Sequence, residues 1–220
     1  NWIMALQVGA ETPLTDNILG KAALTYTRYT NNDRAGTFAP AVGSATTLGT
    51  NVVGTNDLST IEIPFEVKFG TSGPLSYKVF GDYVTNLDGN DRAKAACAVT
   101  PALCGTGNDD NAWLLGFGVN SQADKKIAKG DWSASIWYQD VGTYAVDPNA
   151  VDSDFMDSKV NMKGFVLKTQ YNLQENVFVN FAAGHATNKN DRISTAGVTG
   201  DLGYNLKNYD LYQLDLTYKF

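Results

Sequence analysis

The last nine residues constrain this chain more than any other stretch. In Tyr212-Gln213-Leu214-Asp215-Leu216-Thr217-Tyr218-Lys219-Phe220, the odd-one-out residues never break rank. Tyr212, Leu214, Leu216, Tyr218 and Phe220 fall on one side, and Gln213, Asp215, Thr217 and Lys219 on the other. Period two of this kind is a β-strand with one apolar and one wet face. The apolar side is graded, with aromatics at both ends and leucines between them. A strand facing a protein core has no need of that gradient. A strand facing lipid does, because rings favour the two headgroup levels and aliphatic chains favour the hydrocarbon.

The same alternation recurs upstream. Val177, Val179, Phe181 and Ala183 share a side, as do Phe165, Leu167, Tyr171 and Leu173. So do Trp132, Ala134, Ile136 and Tyr138, then Trp113, Leu115, Phe117 and Val119. Leu75, Tyr77, Val79 and Tyr83 form another set, and Ile63, Phe65, Val67 and Phe69 another. Two weaker segments run from Gly20 to Tyr29 and from Trp2 to Ala10. The pattern predicts about nine antiparallel strands of roughly ten residues, the length a tilted strand needs to cross a bilayer.

Composition narrows the classes further. The chain carries 21 Gly, 11 Tyr, 10 Phe and 4 Trp beside only 18% charged residues. No run of about 18 apolar residues exists, which excludes a transmembrane helix. With 17 Lys plus Arg against 23 Asp plus Glu, the net charge is −6. Such a chain offers no basic field for a nucleic-acid backbone. One histidine and two cysteines are too few for a zinc, iron–sulfur or haem site, so neither a metal nor a cofactor is expected.

Connection lengths alternate as well. Thr12 to Asn17, Thr71 to Pro74, Lys125 to Asp131 and Gln174 to Asn176 read as short turns. The stretches 31–60, 89–111, 142–161 and 188–208 are long, polar and rich in Gly, Asn, Asp, Thr and Ala. Barrels of the bacterial outer membrane have short periplasmic turns and long extracellular loops in strict alternation. On this reading the outward-facing charges Arg28, Asp140, His185 and Asp210 all fall at the long-loop end. There a charge costs ~0–1 kcal/mol, against ~2–4 for a cation at the midplane. A soluble secreted all-β domain would alternate too, but its loops mix lengths at both ends. The expected fold is therefore all-β, an antiparallel transmembrane β-barrel with residues 1–220 in one domain, in contact with outer-membrane lipid or lipopolysaccharide.

The residues also resemble those of a family, the bacterial putative porins. The ending Asn208 to Phe220 is similar to their last strand, with Phe220 resembling the signal read by the barrel-insertion machinery. Lys129-Gly130-Asp131-Trp132 resembles their GDW strand start. Asp152-Ser153-Asp154-Phe155 with Asn161-Met162-Lys163-Gly164 resembles their DSDF element, and Pro64-Phe65 with Val79 to Asn86 a preceding hairpin. The resemblance runs over roughly Ile61 to Phe220. It implies a passive channel of about sixteen strands, assembled as a homotrimer, with an acidic loop folded inward at the constriction.

Geometry bears on completeness. If Phe220 ends on the periplasmic side, counting back makes Trp2 to Ala10 run downward from the outside. Single-chain bacterial barrels have an even strand number and both termini in the periplasm. The expectation is a C-terminal part of a longer barrel, forming an open, curved sheet. Its edge strands, Trp2 to Ala10 and Tyr212 to Phe220, would pair with strands outside these residues, because free edges in hydrocarbon cost several kcal/mol per unpaired group.

No catalytic constellation is visible. His185 has no nucleophile in sequence reach and reads as a rim residue, so an enzyme is not expected. Cys97 and Cys104 bracket six residues and should form a disulfide in an oxidising envelope. Asp147, Asp152, Asp154 and Asp157 cluster in one loop. Calcium is one reading, but the loop lacks the central Gly and closing Glu of a calcium loop, and a solvated acidic mouth fits better. On the wet strand face lie Lys21, Glu62, Glu66, Lys68, Lys78, Asp82, Lys168 and Asp215. Opposed charges across a pore set a transverse field that passes small polar solutes, with weak cation preference from the acidic loops. The expected function is a general-diffusion porin. The alternative is a non-conducting structural or adhesive barrel, or a sheath around a partner protein. Gly116, Gly118, Ala182 and Gly184 would leave space for a channel or a plug.

Overall fold

Alternation on this scale needs hydrogen-bonded neighbours on both sides, and the chain supplies them by meandering. The computed structural model describes residues 3–29, 58–70, 74–99, 109–121, 128–147, 159–191 and 207–220, with 101, 104–105, 107, 151 and 155 between them. The strands are β1 (Ile3–Thr15), β2 (Ile18–Tyr29), β3 (Ser59–Glu62), β4 (Phe65–Phe69) and β5 (Ser76–Asn86). After one helix, α1 (Gly89–Val99), come β6 (Asn111–Asn120), β7 (Trp132–Val141), β8 (Met162–Gln174), β9 (Val177–Asn188) and β10 (Asn208–Tyr218). All pair antiparallel in one sheet in the order β1-β2-β3-β5-β6-β7-β8-β9-β10, with β4 also between β2 and β5.

The ten strands occupy nine positions, because β3 and β4 continue one another. Pro64 separates them. It has no N–H to give the ladder, yet its carbonyl accepts from Ala23 N at 3.0 Å, and Ile63 exchanges hydrogen bonds with Tyr83. The first strand is longer than the alternation suggests. It runs to Thr15, through a register shift between Pro13 and Thr15, so the turn is shorter than the predicted Thr12 to Asn17.

The sheet is open. Among the described residues β1 pairs only with β2, and β10 only with β9. Every residue of β1 is exposed, on both faces.

Period two sorts the side chains as predicted. One face is a continuous apolar surface left uncovered, including Leu115, Ile136, Leu214 and Leu216. Its rings gather towards the strand ends. Trp113, Tyr138 and Phe165 touch in sequence near the long-loop end, with centroids 5.4 and 4.7 Å apart. Tyr77 and Phe117 stack at 6.2 Å nearer the short turns. The predicted outward charges do lie at the long-loop ends, joined by Lys163, opposite Asp140. His185 is not isolated, since its Nδ1 lies 2.7 Å from Asp210 Oδ1.

The other face is covered in part by connections that fold over it. Tyr144, Ala145, Phe155 and Val160 from the β7–β8 connection are buried against Ala112, Val141, Met162, Val166 and Ala186. Ala93 of α1 packs on the same cluster. The helix itself corrects the expectation of a polar loop over 89–111. Its sequence is alanine-rich, and the Asp88 carbonyl accepts the first helical bond from Arg92 N at 3.0 Å. Alanine content, unlike strand alternation, leaves no period-two signal to notice.

Candidate functional site

The covered face carries the chemistry. Register lines up its side chains across the sheet. One row reads Glu11, Lys21, Glu66, Phe80, Gly116, Trp137, Val166 and Gly184 from β1 to β9. The next row towards the short turns reads Lys68, Lys78, Gly118, Ser135 and Lys168. Towards the long loops lie Glu62 and Asp82. Because facing residues of neighbouring strands are about 5 Å apart, long side chains in adjacent rows meet.

They meet as ion pairs. Lys21 pairs with Glu11, a residue the sequence reading missed. Glu66 receives Lys68 at 3.2 Å and Lys78 at 3.7 Å. Glu62 lies beside Asp82, carboxyl against carboxyl. The structure therefore gathers Lys21, Glu62, Glu66, Lys68, Lys78 and Asp82 on β2 to β5. It does not bring Lys168 or Asp215 to them. Lys168 lies three strands from Lys78, its ammonium 5.6 Å from the Trp137 ring centre. Asp215 lies on the edge strand β10, accepting from Gln213 Nε2 at 2.8 Å.

Aromatic rings interrupt the wet face, which sequence reasoning overlooked. Phe80 and Trp137 meet edge to face at 6.2 Å, and Lys78 lies 4.8 Å over the Phe80 ring. Gly116 stands between these residues in the row, and a Cβ there would overlap the Phe80 ring and the Trp137 Cβ. Phe155 from the β7–β8 connection occupies the space over Gly184. The glycines thus leave room, but neighbouring side chains fill it. Rings at Phe80, Trp137 and Phe178, on the face that otherwise alternates polar, were the signal available.

The covering connection is pinned at both ends. At its start, Asp109 Oδ2 accepts from Thr143 N at 2.8 Å and Thr143 Oγ1 at 2.9 Å. The Asp109 carbonyl takes Tyr144 N at 3.0 Å. Gly142 is required there, because a Cβ would overlap the carbonyl oxygen of Asp109. At its end, Asn161 sits at φ 61° and its amide exchanges hydrogen bonds with the backbone of Asn190 at 2.9 and 3.1 Å. Lys189 ties the two ends, pairing with Asp109 and Asp140. Burial alone would lower the Lys189 ammonium, but the Asp140 and Asp109 carboxylates outweigh it and hold it above its ordinary 10.5. Burial pushes the Tyr144 hydroxyl up to about 12, against the nearby Arg92 and with Asp109 adding to it.

Asp147 is buried rather than solvated, a correction that follows from the inward fold of its loop. It lies within electrostatic range of Tyr29, as does the buried Arg92. Asp152, Asp154 and Asp157 lie outside the described residues. Cys97 and Cys104 form the expected disulfide, with Cα atoms 4.6 Å apart. Phe220 follows the end of β10 and is fully exposed. No helix among the described residues is long and apolar enough to cross a membrane.

One apolar face open to the surroundings, and one ionic face with a connection folded over it, is the arrangement of strands in the wall of a transmembrane β-barrel. No curated protein matches the sequence. A family model does, the one described as Putative porin, over residues 44–220. On that match, which takes in every strand from β3 onward, the chain belongs to the Putative porin family.

Proposed function

We propose that this chain forms the wall of an outer-membrane channel through which small hydrophilic solutes or ions diffuse passively. The observation that carries the reading is the β7–β8 connection, pinned across the ionic face while the apolar face stays open. A connection held there narrows a water-filled barrel, and the charges of Lys21, Glu62, Glu66, Lys68, Lys78 and Asp82 would line the passage. Lys168 and Asp215 line it further round. Among the described residues the outer edges of β1 and β10 are unpaired, which supports their pairing with other strands in the intact barrel, since unpaired backbone groups are costly in hydrocarbon. Assembly as a homotrimer, insertion through Phe220 and the lack of an enzymatic role belong to the same proposal. The full-length protein reconstituted in planar bilayers should give stable stepwise conductance. A barrel that inserts and stays silent would overturn it.

The second reading is a non-conducting barrel or a sheath. The buried cluster around Phe155 and Val160 favours it, because such a plug can close a passage as well as narrow it. The same recording decides between them.

A further inference from the structure

Between the strands and the inward-folded connection, the ionic face holds a recess of about 550 Å³. That is the scale of small-molecule sites, which run from about 300 to 1,000 Å³. Its upper wall is apolar, built by Val146 and Val151 of the connection with Leu114 and Val141 of the strands. Its floor is the Phe80–Trp137 pair. Four polar residues reach into it: Glu66, Lys78, Asp82 and Gln139.

Three of those four are already engaged. Glu66 and Lys78 pair with one another, and Lys68 supports Glu66. Gln139 Oε1 accepts from Trp137 Nε1 at 2.9 Å. Asp82 differs. Its carboxyl shares a hydrogen bond with that of Glu62, another acid rather than a cation, and its Oδ1 is shielded from solvent and left without a partner. Among the described residues no cation pairs with either carboxyl. A desolvated acceptor without a donor is unfavourable until something fills it.

The donor that suits this recess is a cation attached to something apolar. A calcium ion would want six or more oxygens, which the valine and leucine walls do not offer. An organic ammonium brings N–H donors to Asp82, and its hydrocarbon body covers Leu114, Val141, Val146 and Val151. A carboxylate on the same body would meet Asp82 and Glu62 as like charges. We propose that this recess binds organic amines with a compact apolar body, so that the channel favours them among the solutes it passes. This inference rests on the channel reading above.

Calorimetry on the full-length protein in detergent tests it with three probes: phenethylamine, 3-phenylpropionate and ammonium chloride. Phenethylamine should bind at least tenfold more tightly than either of the others. Equal affinity for amine and carboxylate, or for amine and bare ammonium, overturns the proposal. Asp82→Asn should remove most of the tenfold preference, and Glu62→Gln part of it. The probe comparison on the unmodified protein stands even if a variant fails to fold. Bilayer recordings separate the two readings. Open channels that phenethylamine does not block more than 3-phenylpropionate overturn the amine inference alone, whereas a silent protein that binds phenethylamine overturns only the channel.

Discussion

Lys189 Nζ lies 2.9 Å from Asp109 Oδ1 and pairs on its other side with Asp140, so one ammonium holds together the ends of three connections. All three side chains are largely withdrawn from water, at 25%, 16% and 15% exposure. Lys189→Met would leave two carboxylates facing one another without their counter-charge. The expected loss is about 1–3 kcal/mol, between the values for exposed and fully buried pairs. Chemical denaturation of the folded protein in detergent checks it. Channel noise should rise as well, because the pinned connection loses its clamp.

The same ammonium gives a pH dependence whose sign is fixed. Its folded pKa is raised, so its contribution is fully present below the unfolded value near 10.5 and is lost as pH rises through the folded value. Stability should stay level with respect to this group up to about pH 10 and fall above it. Lys189→Met should lack that fall. Parallel losses in the two proteins above pH 10 would remove the clamp from the account.

Ser135 and Ile136 are neighbours on β7 that face opposite ways. Ile136→Arg puts a cation on the open apolar face and should cost about 2–4 kcal/mol when the protein folds into bilayers. Ser135→Arg puts it on the ionic face and should cost under about 1 kcal/mol. Equal costs would mean that the apolar face does not meet lipid.

Gly164 and Gly118 test how closely the ionic face is packed. A Cβ at Gly164 would overlap the His185 carbonyl oxygen and press on the Ala186 backbone, which belongs to the paired strand and cannot move aside. At Gly118 it would meet only the flexible Lys78 side chain, at 2.8 Å. Gly164→Ala should destabilise by about 1–3 kcal/mol and Gly118→Ala by well under that. Urea midpoints of the two variants give the comparison.

Reducing the Cys97–Cys104 bond, or replacing both with serine, should release the end of α1. Closing a loop of this length restricts it by about 2–3 kcal/mol on a chain-entropy estimate. The first turn should stay ordered, because Ala93 and the buried Arg92 anchor it to the sheet side. Amide exchange after Cys97 should therefore quicken more than exchange at the helix start, and global stability should fall by no more than that amount.

The strands were legible because a pleated chain must alternate, and each residue's face follows from its own position. Leu115, Ile136 and Leu214 could be assigned outward from their neighbours alone, and the exposed face bears them out. So could the inward direction of Glu66, Lys78 and Asp82. Even the break at Pro64 had a local cause, the missing N–H. Which inward charges meet was another matter. Lys78 reaches Glu66 because their rows adjoin, while Lys168 sits three strands away, although both had read simply as wet-face lysines.

What only the tertiary structure decided lies in the connections. Nothing periodic marks Tyr144, Phe155 or Val160 for burial, since a loop's side chains are sorted by what they land on rather than by a repeat. The pairing of Lys189 with Asp109 and Asp140 joins segments far apart in the chain, and like-looking charges elsewhere stay exposed. The recess floored by Phe80 and Trp137 exists because three strands bring the rings together over Gly116 and a fourth segment roofs them. Period two is a local property of the backbone, so the sequence by itself determined a two-faced antiparallel sheet. Long-range contact is a property of the assembled sheet, so only the fold decided how its ionic face is narrowed and what it can hold.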